Sequence, residues 1–172
     1  MTRNILGDRL GITLAVNDLP LSVRVPIWLA ATLGLWACLE SGRKARTLWT
    51  VGVAIYLVHL WAVFEYLHDW SHAKALAHVA QTTLRVTGTN ASYGLYINYA
   101  FSLAWVLYVL ASYWTELPRW VHRAWAAWFL FMAFNGCIVF VLNPFRWLGV
   151  ALFGIFGIVA FVRSQKAVAL EK

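Results

Sequence analysis

Four of the five histidines of the chain lie in one short stretch, residues 59–78, together with two acidic side chains. The stretch begins inside an apolar segment that is long enough to cross a bilayer. A charge at the centre of a span costs about 2.5 to 3.5 kcal/mol on insertion scales, so ionisable residues kept there indicate a functional site. The candidate site residues are His59, Glu65, His68, Asp69, His72 and His78.

Helical geometry predicts four of these side chains on one face. At 100° per residue, Glu65, His68, Asp69 and His72 fall within about a quarter of the circumference. The spacing of His68 and His72 is that of the two imidazoles that bind one metal ion in HExxH sites. Glu65 and His68 form the ExxH spacing of di-iron helical proteins. We therefore expect His68 and His72 as core metal ligands, with Glu65 or Asp69 as a catalytic base or as the acceptor that orients an imidazole.

The remaining histidines of the stretch are the candidates for further metal ligands. His78 is the first of them if the helix bends at Ser71, and His59 is the second. Neutral imidazole suits zinc, iron and copper alike, so the pattern does not select one metal. A single haem is also compatible with these histidines. The alternative is a polar cluster that packs helices together or relays protons without any cofactor.

A second set of polar residues is expected to face the same cavity from the other spans. Asn98 lies about as far from the end of its span as Glu65 does from the end of its own, so their side chains are expected to meet. Arg146 is expected on the same side as Glu65, whose charge it would neutralise. The predicted cofactor-binding residues are Tyr96, Asn98, Asn135 and Arg146.

Composition indicates the class of protein that carries these residues. Of the 172 residues, 62% are hydrophobic and 12% are charged, whereas soluble domains have roughly 45 to 50% and 25%. The chain is therefore predicted to be an integral membrane protein. Its net charge of +7 does not indicate nucleic acid binding. The basic residues lie in short clusters between apolar segments, where lipid headgroups and insertion topology account for them.

The lengths of the apolar segments predict an all-α integral membrane protein, a bundle of about five transmembrane helices. A helix needs about 20 apolar residues to cross a bilayer. The predicted spans are residues 25–39, 47–68, 93–114, 122–142 and 145–162. Residues 71–86 are too polar to span, and they are predicted either to continue the second span or to bend at Ser71 and form an interfacial helix. Tryptophans near span ends, including Trp49 and Trp114, are expected at the membrane interfaces.

These boundaries divide the chain into an N-terminal tail or interfacial segment (1–24), one transmembrane domain (25–163) and a basic C-terminal tail (164–172). The loops at 43–46 and 115–123 and the C-terminal tail, counted together with Arg163 next to it, hold eight Lys and Arg residues, and the rest of the chain holds six. Positively charged loops favour the cytoplasmic side. The C-terminus is therefore predicted to be cytoplasmic, in a bacterial plasma (inner) membrane.

Two classes of function follow from these residues. The first is a metal-dependent hydrolase or oxidoreductase, embedded in the lipid bilayer, that acts on a lipid or another apolar small molecule. The second is a non-catalytic membrane subunit, or a module that binds a ligand or haem, in which the histidines serve packing or proton relay. The sequence predicts the place of the site more clearly than its reaction.

Overall fold

The computed structural model of the chain describes residues 21–141 and 145–170. Most of the predicted N-terminal tail and the short connection between the predicted fourth and fifth spans lie outside these ranges. All regular elements of the described residues are helical. They are α1 (Leu21–Cys38), α2 (Gly42–Val63), a first π-helical segment (Phe64–His68), α3 (His72–Thr87), α4 (Gly94–Trp114), α5 (Arg119–Phe134), a second π-helical segment (Asn135–Val139) and α6 (Phe145–Leu170).

Four helices are long and apolar enough to cross a membrane. They cover Leu21–Cys38, Gly42–His68, Gly94–Trp114 and Phe145–Lys166. The helix at the predicted fourth span, α5, has 16 residues and is not among them. The described residues therefore show the all-helical class and four candidate membrane-spanning helices, and the predicted count of about five is not confirmed. The predicted C-terminal tail is helical up to Leu170, because α6 continues through it.

Successive long helices run in opposite directions, so the bundle has two distinct ends. One end, named the histidine end, holds the start of α1, the end of the first π-helical segment and the start of α4. The other, named the Glu40 end, holds the loops at 39–41 and 115–118. There Arg163 of α6 donates to the Leu39 carbonyl at 2.7 Å and to the Glu40 carboxylate at 3.2 Å. This contact ties α6 to the loop between α1 and α2.

An aromatic core separates the two ends. It consists of Trp49, Phe101, Trp105, Trp125 and Phe129, all of which are buried. The ring centroids of Trp49 and Phe129 are 4.9 Å apart in an edge-to-face arrangement, a geometry that aromatic pairs prefer. Trp49, which was predicted to mark a membrane interface, is packed inside the bundle and only 4% of the residue is exposed. Its ring packs against α4 and α5, which a pattern local to α2 does not reveal.

Gly34 of α1 is expected to be intolerant of any side chain. A Cβ at this position would overlap the ring of Phe129, which is 2% exposed and cannot move away freely. We expect Gly34→Ala to lower the free energy of unfolding by about 1 to 3 kcal/mol, the usual cost of overpacking. Chemical unfolding of the purified protein in detergent measures this change in the free energy of unfolding. Gly154→Ala is the control, because an added Cβ there meets nothing within 4 Å. Equal stability of the two variants would contradict the packing described.

The helix that begins at Gly42 ends at His68, and the chain then turns. Asp69 and Trp70 both have left-handed backbone conformations, with φ of 44° and 56°. A bulky residue is rarely found there, so Trp70 is strained. Its ring stacks on Phe64 and its Nε1 donates to Glu65 at 2.8 Å, contacts that hold the strained backbone in place. The chain therefore bends here and does not continue the second span, and Ser71 caps α3 by accepting from the Lys74 amide.

Candidate functional site

A cavity of about 390 Å³ lies at the histidine end of the bundle. We name it the histidine cavity, because His59, His68 and His78 all line it. Most of its wall is apolar and comes from α1, α2, α4 and α5. Small-molecule sites typically combine such a wall with a few polar groups. The polar side chains of the wall include those of Arg24, Tyr56, His59, His68, His78, Asn98 and Tyr99.

Both π-helical segments border this cavity. The first contributes Phe64, Leu67 and His68, and the second contributes Gly136 and Cys137. A π-helical turn is rare and occurs frequently at functional sites. Two such turns on one wall are an independent structural indication of a binding site.

His68 and His78 form an imidazole pair. Their ring centroids are 5.3 Å apart in an edge-to-face arrangement. His68 is 4% exposed, and Phe64 packs against its ring from one turn earlier. Burial lowers the pKa of His78, and the positive charge of Arg85 lowers it further. The His78 imidazole is therefore biased towards its neutral form, in which one ring nitrogen donates and the other accepts.

His59 lines the same cavity from α2. Its Nδ1 donates to the Val23 carbonyl of α1 at 2.7 Å. A carbonyl can only accept, so this bond assigns the proton of the neutral ring to Nδ1 and leaves Nε2 as an acceptor. The ring also lies against Tyr56, with centroids 6.2 Å apart. His59 thus presents a fixed tautomer rather than a freely rotating imidazole.

The structure does not place His72 beside His68, as the metal hypothesis requires. His72 begins α3, is exposed and does not line the cavity. Its Nδ1 shares a hydrogen bond of 3.2 Å with the Tyr99 hydroxyl. The prediction assumed an unbroken helix from Glu65 to His72. The left-handed residues Asp69 and Trp70 break that helix, so the expected common face is wrong.

The two acidic candidates also lie away from the cavity wall. Glu65 is exposed and accepts from Trp70, so the inward orientation predicted for it near Asn98 is wrong. Asp69 is exposed and forms an ion pair with Lys74. The hydrogen bond and positive charge of Lys74 lower the pKa of Asp69. Neither carboxylate is therefore positioned to act on a molecule in the histidine cavity.

The four residues predicted to bind a cofactor do not share one site in the structure. Asn98 lines the cavity, whereas Tyr96 is exposed and contacts the ring of His72. Asn135 donates to the Phe131 carbonyl at 2.7 Å, one turn before the second π-helical segment. Arg146 donates to the Val141 carbonyl at 3.2 Å. The last two side chains bond to nearby backbone at the end of α5 and line no part of the cavity, and Arg146 does not contact Glu65.

Within residues 21–141 and 145–170, no group of three or more His, Cys, Asp or Glu side chains is arranged to hold a metal ion. The predicted metal ligands His59, His68 and His78 share a cavity, but only His68 and His78 are in ring contact. The metal hypothesis therefore gains no support from the described residues. The prediction of a single haem likewise rests on the sequence alone.

Three residues of the site were not among the predicted ones. Tyr99 lines the cavity and contacts His72, and Tyr56 lines it while sharing a hydrogen bond of 3.0 Å with Ser102. The four-residue spacing of Asn98 and Ser102 on α4 was the available signal for this face. Gly136 borders the cavity from the second π-helical segment, and its neighbour Asn135, a polar residue in the middle of a predicted span, was the available signal for it.

Comparison of the chain with protein-family models, with curated proteins and with solved structures finds no match.

Proposed function

We propose that this chain is a multi-pass membrane protein that binds an amphipathic small molecule in the histidine cavity. The observation that supports the proposal most directly is the cavity wall, where apolar side chains surround three imidazoles and the amide of Asn98. Its volume of about 390 Å³ falls within the roughly 300 to 1,000 Å³ of known ligand pockets. The apolar wall holds the body of the ligand, and the imidazoles hold its head group.

The head group is a hydrogen-bond donor, such as a hydroxyl. His59 already donates from Nδ1 to the Val23 carbonyl, so its Nε2 accepts. A neutral imidazole at His68 or His78 also offers one acceptor nitrogen, and Asn98 both accepts and donates. An apolar alcohol or phenol satisfies these groups. A buried acceptor left without a donor would cost about 1 to 3 kcal/mol.

Binding without catalysis fits the positions of the acidic residues. No Asp or Glu side chain among the described residues lines the histidine cavity. Glu65 and Asp69, the candidates for a catalytic base, bond to Trp70 and Lys74 on the outside of the bend. A hydrolase or oxidoreductase built on these carboxylates is therefore less consistent with the geometry than a ligand-binding module.

The proposed topology has five spans, with α5 and the second π-helical segment together forming the fourth. The Glu40 end faces the cytoplasm, because basic residues are concentrated there. Within the described residues this end carries Arg43, Lys44, Arg46, Arg119, Arg123, Arg163 and Lys166, whereas the histidine end carries Arg24, Lys74, Arg85 and Arg146. The bias follows the rule for positively charged loops, and α3 lies at the opposite membrane surface.

Photolabelling tests the proposed ligand class. The protein is reconstituted in liposomes and irradiated with dodecanol that carries a diazirine at its terminal carbon, and the labelled peptides are identified by mass spectrometry. We expect labelling of the apolar cavity wall, which includes Phe101 and Met132, and competition by excess dodecanol. Labelling spread over the exposed face of α6 and insensitive to the competitor would overturn the proposal.

Two matched glycine variants test the place of binding. An added Cβ at Gly136 or at Gly154 meets nothing within 4 Å, so neither substitution creates a clash at that atom. Only Gly136 borders the histidine cavity. We expect Gly136→Leu to reduce competitor-sensitive labelling at least about fivefold by occupying cavity volume, a loss of about 1 kcal/mol in binding. Gly154→Leu should label as the unaltered protein does, and equal losses in both variants would contradict the assignment.

A further inference from the structure

The Glu40 end of the bundle contains a second cavity, of about 400 Å³. We name it the Glu40 cavity. It is bounded by the last turns of α1 and α4 and by the first turns of α2 and α5. The loop at 115–118 completes the wall. No residue that lines it lines the histidine cavity. Its polar wall residues are Cys38, Glu40, Ser41, Arg46, Tyr108, Ser112, Thr115, Glu116 and His122.

Arg46 is the residue of this wall that points to a ligand. It is half-buried, and its guanidinium lies over the ring of Tyr113 at 5.1 Å from the centroid. Among the described residues, no carboxylate lies within ion-pair distance of Arg46. An arginine stacked on an aromatic ring has its fork of N–H donors fixed in one plane, which suits the oxygens of a phosphate or carboxylate.

The two carboxylates of the cavity do not neutralise Arg46. Glu40 accepts from Trp36 at 2.9 Å and pairs with Lys44 at 3.0 Å and Arg163 at 3.2 Å. The bonds from Lys44 and Trp36 lower the pKa of Glu40 to about 2, so it stays ionised and paired at neutral pH. Glu116 is exposed to solvent in the loop after α4. The cavity wall itself holds two carboxylates and one guanidinium, and the Lys44 and Arg163 that pair with Glu40 bring the cations around the cavity to three.

His122 provides a second polar contact on the same wall. Its Nδ1 shares a hydrogen bond of 2.8 Å with the hydroxyl of Tyr108, which fixes the ring against α4. When the Tyr108 hydroxyl donates, the neutral ring carries its proton on Nε2 and that nitrogen becomes a donor. Arg46 and His122 thus approach the cavity from two different helices, α2 and α5.

We propose that the Glu40 cavity binds an anionic phosphate group, with Arg46 as its principal contact and His122 as a further donor. The phosphate belongs either to the headgroup of an anionic phospholipid or to a free phosphate ligand, since both present the same oxygens. This site is independent of the ligand proposed for the histidine cavity.

Native mass spectrometry of the detergent-purified protein tests this site. The probes are dioctanoyl phosphatidylglycerol, dioctanoyl phosphatidylcholine and inorganic phosphate, each titrated separately. We expect one phosphatidylglycerol per chain to bind at least about tenfold more tightly than phosphatidylcholine, a difference of about 1.4 kcal/mol. Binding of inorganic phosphate alone, without a preference for phosphatidylglycerol, would identify the free phosphate as the source and would also support the site. Absence of binding by both anionic probes would overturn it.

The matched control is a second arginine of the same helix turn. Arg43 is exposed and does not line the cavity, so Arg43→Gln removes the same charge from the same end of the bundle. We expect Arg46→Gln to weaken binding of the anionic probe at least about tenfold and Arg43→Gln less than about twofold, because exposed charges contribute little. If Arg46→Gln fails to fold, Arg46→Lys keeps the charge while losing the planar fork, and it should show an intermediate affinity. Equal losses of affinity in Arg43→Gln and Arg46→Gln would mean that the probe is attracted only by diffuse surface charge, and this result would overturn the site.

Discussion

Replacing Trp105 with alanine is expected to lower the free energy of unfolding by about 3 to 5 kcal/mol, the usual cost of truncating a buried Trp or Phe. Trp105 is 1% exposed, and its ring contacts Trp49, Tyr56 and Phe129. Its Nε1 also donates to the Trp49 carbonyl at 3.3 Å. The substitution removes these contacts from the middle of the aromatic core and leaves a cavity. Unfolding of the purified protein by denaturant in mixed micelles measures the loss.

Trp114 provides the control for this prediction. It ends α4, is 81% exposed and lies outside the aromatic core. We expect Trp114→Ala to change the free energy of unfolding by less than about 0.5 kcal/mol, as surface substitutions usually do. If Trp105→Ala and Trp114→Ala lowered the free energy of unfolding equally, the aromatic core would not be a main source of the stability of the bundle.

Replacing His68 with phenylalanine is expected to reduce competitor-sensitive labelling by the diazirine-bearing dodecanol at least about fivefold. Phenylalanine keeps the edge-to-face contact with Phe64 and much of the volume, but it removes the ring nitrogens that would meet the ligand hydroxyl. Losing one partner of a buried hydrogen bond costs about 1 to 3 kcal/mol, and 1.4 kcal/mol corresponds to a tenfold change in affinity. His78→Phe should have a similar effect, because its ring lines the same cavity.

His72→Phe distinguishes the observed site from the one expected from residue spacing. His72 is exposed and bonds to Tyr99 outside the cavity, so this variant should label as the unaltered protein does. A loss of labelling in both His68→Phe and His72→Phe, with His78→Phe unaffected, would mean that the helix continues through Asp69. That outcome would contradict the bend on which the histidine cavity depends.

Hydropathy and turn chemistry predicted much of the fold. The span predicted at 93–114 is observed as Gly94–Trp114, and the helix predicted at 71–86 is observed as His72–Thr87. Such helix boundaries can be predicted because they depend on nearby residues only. The features that set them are the apolar length, the serine cap and Gly88, whose φ is 74°. The start of α1 was predicted four residues too late because Arg24 was assigned to the tail, although a long basic side chain is tolerated at a helix end.

The arrangement of the site was less predictable. Three histidines of the stretch from His59 to His78 line one cavity. Their pairing was not predictable, because it depends on a π-helical turn and on two left-handed residues, one of them a tryptophan. No residue preference signals a left-handed Trp70, which is held by its contacts with Phe64 and Glu65. Burial of Trp49 likewise depends on α4 and α5, whose residues are distant in sequence.

The two π-helical segments also affect how insertions and deletions would act on this chain. A π-helical turn uses i→i+5 hydrogen bonds, so it contains roughly one residue more than the α-helical turn it replaces. Losing one residue within Phe64–His68 would restore an α-helical turn there and leave the elements that follow in nearly the same orientation relative to α2. Losing one residue from an ordinary turn of α2 would instead rotate everything after it by about 100°, and His68 would then no longer face His78. A single-residue deletion is therefore expected to be tolerated better within the two π-helical segments than in the helices that flank them.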